Sequence, residues 1–272
     1  GITNDPFSLQ RPLRPNYPVL LILNIRAPND PFQPAGRLQD GIPAARVPDL
    51  GNGIIDVPNT FAVVTVPQKI GRGYIQSWNF TLQKQLRYGF TGQVGYVATR
   101  STKQLGYLGL NQGQVIGAGE LGRPLRQKFG RPAETTLVTP FGTTHYNSLQ
   151  TTLERRFTQG FHLGATYTWS KVMGYNVNSD SGPNVTNALQ FFHLNRTVLN
   201  YNRTHQFNIA NMWELPFGKG KKWLSNAAIA SAILGGWRVN NLLSFFSGAP
   251  FTVTSPDASL LMPGSGQRAD QL

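Results

Sequence analysis

His145-Tyr146-Asn147-Ser148-Leu149-Gln150-Thr151-Thr152-Leu153-Glu154-Arg155-Arg156-Phe157, then Thr158-Gln159-Gly160, then Phe161-His162-Leu163-Gly164-Ala165-Thr166-Tyr167-Thr168-Trp169-Ser170-Lys171, is the stretch whose reading decides the fold. In its second half Phe161, Leu163, Ala165, Tyr167 and Trp169 fall on one parity, and His162, Gly164, Thr166, Thr168 and Ser170 on the other. That period of two belongs to a strand with one apolar and one wet face. A three-residue polar turn ending in Gly160 joins it to the preceding segment, so the two predict an antiparallel hairpin.

The same pattern recurs on both sides. From Gly73, residues Tyr74, Gln76, Trp78, Phe80 and Leu82 alternate with Ile75, Ser77, Asn79, Thr81 and Gln83; beyond Arg87-Tyr88-Gly89, Phe90, Val94, Tyr96 and Ala98 share a face. A third pair puts His205, Phe207, Ile209 and Trp213 on one parity and Trp237, Val239, Leu243 and Phe245 on the parity of its partner. Residues 101 to 143 and 174 to 202 are expected to be long loops. The connection from Leu215 to Gly236 is of medium length, its Ala-rich centre either a short helix or a collapsed linker.

Residues 1 to 70 hold 11 of the 19 prolines. Proline removes a ladder donor and fixes φ, so this segment is expected to be irregular, with one short strand at Val19-Leu20-Leu21-Ile22-Leu23. The organisation read from the chain is 1–70 Pro-rich loop, 71–255 strands with long loops, and 256–272 tail.

Composition agrees with an all-β chain: 29 glycines, 19 prolines, 11% aromatic residues and only 14% charged. The net charge of +13 raises nucleic-acid binding. However, the basic residues are scattered, Gly218-Lys219-Gly220-Lys221-Lys222 being the one dense run, and no nucleic-acid partner is expected. Without cysteine, a disulfide scaffold and thiolate metal sites are excluded. The chain opens at Gly1 with no secretory leader and is read as mature or as a fragment. The nearest thing to a membrane helix, Leu224 to Trp237, is too short and contains Ser and Asn.

The connections alternate: short, long, short, long, medium, long. Transmembrane β-barrels have tight turns on one side, long loops on the other and strands of roughly ten alternating residues between. The expected fold class is therefore all-β, antiparallel up-and-down strands of a transmembrane β-barrel, incomplete because about six strands are too few for a large barrel. Lys84 and Arg155 fall on the lipid parity but near short turns, where a base costs about 0–1 kcal/mol rather than about 2–4 at the midplane. Tyr74, Phe157, Phe161, Trp169, Trp213 and Trp237 are candidate interfacial girdle residues. The competing reading is a secreted β-sandwich for adhesion or carbohydrate binding.

Five segments together resemble a known family: Tyr74-Ile75-Gln76-Ser77-Trp78-Asn79; Tyr146-Asn147-Ser148-Leu149-Gln150 with Leu153-Glu154-Arg155-Arg156-Phe157; Tyr167-Thr168-Trp169-Ser170-Lys171; Glu214-Leu215-Pro216-Phe217-Gly218-Lys219-Gly220; and Leu234-Gly235-Gly236-Trp237 through Ser247-Gly248-Ala249-Pro250-Phe251. In order and spacing they look like the barrel of Oar-like TonB-dependent outer-membrane receptors, over residues 70 to 255. The resemblance implies a bacterial outer-membrane location and a large barrel with an internal plug, preceded by a carboxypeptidase-regulatory-like domain. It also implies ligand uptake driven by TonB and the proton-motive force. Only the barrel portion is recognisable here. The partners it implies are outer-membrane lipid and lipopolysaccharide, the rest of the barrel and its plug, TonB through the parent protein, and a transported ligand.

No motif argues for chemistry. Gly117-Ala118-Gly119-Glu120-Leu121-Gly122 has the spacing of a dinucleotide fingerprint, but Pro124 and Pro132 interrupt the stretch after it and no βαβ unit surrounds it. His145, His162, His193 and His205 lack metal-ligand spacing; His162 and Glu154 read as a polar pair on the wet face. No nucleophile stands beside a base, so no enzyme, cofactor or metal site is expected. Asn79, Asn184, Asn195 and Asn202 each open an N-x-S/T sequon, near chance for this composition. The candidate ligand residues lie in the loop from Gly174 to Tyr201: Tyr175, Asn176, Phe191 and Phe192, an amide and three rings suited to hydrogen bonding and stacking.

Overall fold

The computed structural model describes residues 2–3, 13–20, 34, 36–41, 49–175, 188–225, 228–256 and 259–268. Along the chain run β1 (Ile2–Thr3), β2 (Val63–Thr65), β3 (Gly73–Gln85), β4 (Phe90–Gly109), α1 (Pro124–Phe129), β5 (Thr135–Thr158) and β6 (Phe161–Tyr175). They are followed by β7 (Arg196–Val198), β8 (His205–Glu214), α2 (Ala228–Leu234), β9 (Arg238–Phe246), β10 (Thr254–Ser255) and β11 (Gln267–Arg268).

The long strands form one antiparallel sheet in the order β3-β4-β5-β6-β8-β9, with β1 beside β3, β2 beside β5 and β7 beside β6. Each neighbour in the path is its neighbour in sequence, the up-and-down arrangement that the alternation predicts. The sheet does not close on itself: β9 ends it on one side and β3, with two residues of β1, on the other.

The turn at Gly160 is tighter than the three residues expected. Thr158 pairs with Phe161, leaving two loop residues, Gln159 at φ 52° and Gly160 at φ 78°. Positive φ at both central positions is the hairpin turn whose twist matches the strands, and glycine adopts it without strain. The connection from β8 to β9 contains the helix α2. Glu214 ties it down: one carboxylate oxygen accepts from Lys221 Nζ at 2.8 Å and the other from Arg238 Nη2 at 2.8 Å.

The expected loop from 101 to 143 is corrected. β4 continues to Gly109 and β5 begins at Thr135, so only 110 to 134 connect them. The ladder runs past Pro140 by taking register shifts between Thr102 and Leu105, which absorb a residue that cannot donate. At 24 residues β5 is about 80 Å long, far more than the roughly ten residues a barrel strand needs.

The short strand expected at Val19-Leu23 is not one where it is described. The N–H groups of Val19 and Leu20 both bond to the carbonyl of Asn16, which makes a turn, and Leu21 to Leu23 lie outside the described residues. The strand of this region is β2, parallel to Thr135–Leu137 of β5. On its free side Asn16 acts as one more strand residue, donating Nδ2 to the Val64 carbonyl at 2.6 Å and accepting the Val64 N–H at 2.7 Å. The tail is also more ordered than a bare loop, with β10 and β11 pairing antiparallel.

Apolar core is sparse. Among the described residues the buried hydrophobic ones are Ala98, Val138, Val172, Ala188, Leu199 and Met262, while Phe80, Leu82, Trp169 and Phe245 stand more than half exposed. Among the described residues no second large sheet covers this face, which a β-sandwich would require.

Candidate functional site at the outer end of the sheet

Register converts the alternation into two surfaces. Reading across from β3 to β8, Phe80, Tyr96, Leu149, Trp169 and His205 form one row. Leu82, Val94, Thr151, Tyr167, Phe207 and Phe245 form the next, then Lys84, Gly92, Leu153, Ala165, Ile209 and Leu243. Below them come Phe90, Arg155, Leu163 and Asn211, and finally Phe161, Trp213 and Val239 beside the short turns. Five rows span about 27 Å of strand, or roughly 21 Å of height at a ~40° tilt, close to the ~25 Å apolar band of a membrane barrel. The opposite surface carries Asn79, Thr81, Gln83, Gln93, Gln150, Thr152, Glu154, Thr166, Thr168, Gln206, Asn208 and Ser244. The edge strand β9 departs from this division, since Leu242 and Phe246 share the parity of Ser244.

Two predicted features are located by these rows. The guanidinium of Arg155 lies 5.5 Å from the ring centroids of both Phe90 and Phe161, in the row above the turns. Each such contact contributes on the order of 0.5–1 kcal/mol, which offsets the small cost of a base near the interface. Tyr74 is not a girdle residue. It pairs with Thr102, beyond Gln76 and Arg100 and clear of the band, and the upper aromatic edge is made by Tyr96 and Trp169.

Above the band the same strands enclose polar structure. Asn202, 2% exposed, accepts the Val172 N–H at 2.8 Å and donates to Thr204 Oγ1 at 3.0 Å, while Ser170 Oγ donates to the Arg203 carbonyl at 2.8 Å. Asn195 is also 2% exposed and donates to the Phe192 carbonyl. Both sequon side chains are thus engaged in the fold.

Against this frame pack three rings. Phe192 stacks on Tyr175 with centroids 5.6 Å apart and planes 22° apart, and Phe141 meets them edge-on at 5.7 and 6.3 Å. Of the candidate ligand residues, therefore, Tyr175 and Phe192 come together. Phe191 lies in the same 3-10 turn, half-buried and outside the cluster, and Asn176 lies outside the described residues. Phe141 escapes sequence reading because Pro140 and Gly142 disguise a strand. The rings are half-buried rather than enclosed, and Tyr175 shares its parity with Trp169 on the apolar face.

The Gly-rich stretch has a different use from the one its spacing suggests. Gly119–Gly122 is a 3-10 turn and α1 has only six residues. The N–H groups of Gly117 and Gly119, which a phosphate would need, donate to the carbonyls of Leu260 and Leu261 in the tail. The adjoining loop is anchored by Asn111, fully buried, which donates to the carbonyls of Arg131 and Ala133 and accepts the Leu125 N–H.

His145 stands above the band, opposite Arg100. Burial, then the nearby charges of Arg100 and Arg196, hold its imidazolium form below the usual range. His162 and Glu154 share the polar face, but among the described residues no hydrogen bond or ion pair joins them. No group of three or more His, Cys, Asp or Glu capable of holding a metal occurs among the described residues. No described helix is long and apolar enough to cross a membrane.

The chain matches a family model described as an outer membrane beta barrel domain, over residues 1–272. No curated protein and no solved structure matches.

Proposed function

Because the chain belongs to the outer membrane β-barrel domain family, and so to the bacterial outer membrane, we propose that it is a section of the wall of a TonB-dependent receptor that takes up a ligand across that membrane. The observation that carries this reading is the division of one up-and-down sheet into an apolar band and a polar lining. Two short turns and the helix-bearing connection from β8 to β9 lie at one end, and long extensions and loops at the other. In this reading strands outside the chain close the barrel, a plug fills it, and TonB engages the parent protein. The Oar-like resemblance of residues 70 to 255 supports the finer assignment. Residues Tyr175, Asn176, Phe191 and Phe192 supply ligand contacts from the outer end, Tyr175 and Phe192 as an aromatic platform. The chain itself is a scaffold, with no catalytic step, cofactor or metal assigned to it.

The test compares cells with and without the parent protein for uptake of fluorescent ferric siderophores and maltodextrins, before and after a protonophore. Uptake that needs both the protein and the proton-motive force supports the assignment. Uptake indifferent to the protonophore overturns the TonB step. Phe192→Ala is expected to weaken capture several-fold, since one aromatic stacking contact is worth about 0.5–1.5 kcal/mol.

A further inference from the structure

The polar lining of the sheet has a property that membrane placement does not require. Its middle row crosses all six long strands as Gln83, Gln93, Thr152, Thr166, Asn208 and Ser244, three amides and three hydroxyls. Thr81, Gln150, Thr168 and Gln206 repeat that chemistry one row higher. From the middle row up to the row of Asn79, no Lys, Arg, His, Asp or Glu stands on this face among the described residues. Its charges lie toward the short turns, with Glu154 one row below and Arg156 beyond it.

The chain is not short of cations, with 25 Lys and Arg and a net charge of +13. On the strands at this depth they stand on the opposite face, Lys84 across from Gly92 and Arg155 across from Phe90. A base against lipid costs stability and one on a wet lining costs none, so charge is missing from the surface where it is free. An anionic ligand calls for cations on that lining and a cationic one for carboxylates. Amides offer both donors and acceptors and hydroxyls are both at once, which matches the hydroxyls of a sugar. Among the described residues none of the six side chains of the middle row has a hydrogen-bond partner, so all are open to a ligand.

The edge strand supplies the apolar counterpart. Phe246, opposite Gln206, and Leu242, opposite Ala210, share the side of Ser244 and are 58% and 79% exposed. A ring that is neither buried nor turned to lipid thus stands beside a file of amides. The C–H face of a pyranose packs on such a ring while its hydroxyls reach the amides. The middle row runs about 24 Å across the strands, room for several sugar rings.

We propose that the polar face binds a neutral oligosaccharide, its hydroxyls on the amide and hydroxyl rows of β3 to β8 and one sugar face on Phe246. This names the ligand of the uptake reading and rests on that reading for the ligand's onward passage; binding itself needs neither TonB nor the proton-motive force.

The experiment is isothermal titration calorimetry of the full parent protein, purified from outer membranes in detergent, with maltohexaose, cellohexaose, xylohexaose, mannohexaose, hexagalacturonate and a ferric tris-catecholate chelate. Saturable binding of at least one neutral sugar, unchanged between about 0.05 and about 0.5 M salt, is expected. Phe246→Ala should weaken it about fivefold and Gln206→Ala with Asn208→Ala about twentyfold, while Phe246→Trp keeps it. No binding of any neutral sugar, tighter binding of hexagalacturonate or of the ferric chelate, or full affinity in either Ala variant would overturn the proposal. Uptake that ignores a protonophore overturns the TonB step and leaves the calorimetric result standing. Should an Ala variant not assemble, the ranking of the ligands on the wild-type protein decides alone.

Discussion

The lower and upper parts of the same strands are built on opposite rules. Between the Trp169 row and the Trp213 row, large apolar side chains stand exposed, and none of the buried hydrophobic residues among those described lies there. Above it Val138, Val172 and Leu199 are buried, Asn111, Asn195 and Ser170 donate to carbonyls of the connecting segments, and Asn202 holds the Val172 N–H of β6 and the Thr204 hydroxyl. Strand geometry is continuous across the boundary, so the difference lies in the solvent. Lipid accepts bare side chains but no bare backbone, which the ladder satisfies; water accepts bare backbone but must be kept from apolar contacts.

The sharpest way to break this contrast is to place a charge on either face at one depth. Val94→Arg, in the second row, is expected to cost about 2–4 kcal/mol of membrane stability, and Gln93→Arg, its neighbour on the polar lining, almost nothing. Heat-modifiable mobility of the assembled protein reads both. Similar losses would erase the distinction between faces. Tyr167→Arg and Thr166→Arg repeat the test on β6. Leu163→Arg, attractive from sequence, is the weaker probe, because Leu163 lies beside Arg155 near the turns and a charge there costs about 0–1 kcal/mol.

The upper region should respond to a different lesion. Asn111→Ala removes three hydrogen bonds from a fully buried side chain. At about 1 kcal/mol each, a loss of roughly 3 kcal/mol is expected, confined to residues 110 to 134. Limited proteolysis should then cut this loop faster while membrane assembly is unchanged. A fall in assembly would mean the two regions are coupled.

The smallest effect concerns His145. Its folded pKa is lowered, so the unfolded chain takes up the proton first as pH falls through about 6.5. Stability is therefore unaffected above that value, declines with pH between it and the lower folded pKa, and levels off below. An imidazole NMR titration should show a midpoint under the usual one, and Arg100→Gln should move it upward. No movement would place Arg100 too far away to act.

Sequence alone carries the lower region well. Inside lipid every side chain from Phe161 to Trp169 must obey the face it occupies, so parity survives in the residues themselves. The upper region was legible only in part. Beyond the band both faces of β4 and β5 meet water or loops, alternation is no longer enforced, and Pro140 with its flanking glycine hid the strand that presents Phe141. The clamps of Asn111, Asn195 and Asn202 were equally hidden, because a buried asparagine in a loop looks in sequence like a solvated one. Arg155 shows the reverse case, a charge on the apolar parity that register places one row above the turns, whereas Lys84, opposite Gly92, falls in the middle row, one residue from the end of β3.

The turn at Gln159-Gly160 bears on how such a protein can vary. Its backbone is already stitched to the next strand, Gly160 accepting the Glu214 N–H at 2.7 Å, and a side chain at Gly160 would press on Glu214. An inserted residue there has nowhere to go without parting β6 from β8. Chain length at this turn is therefore held fixed by the neighbouring strand, whereas the connections from 110 to 134 and from 176 to 195 at the opposite end carry, among the described residues, no such stitch to the wall and can lengthen without parting it.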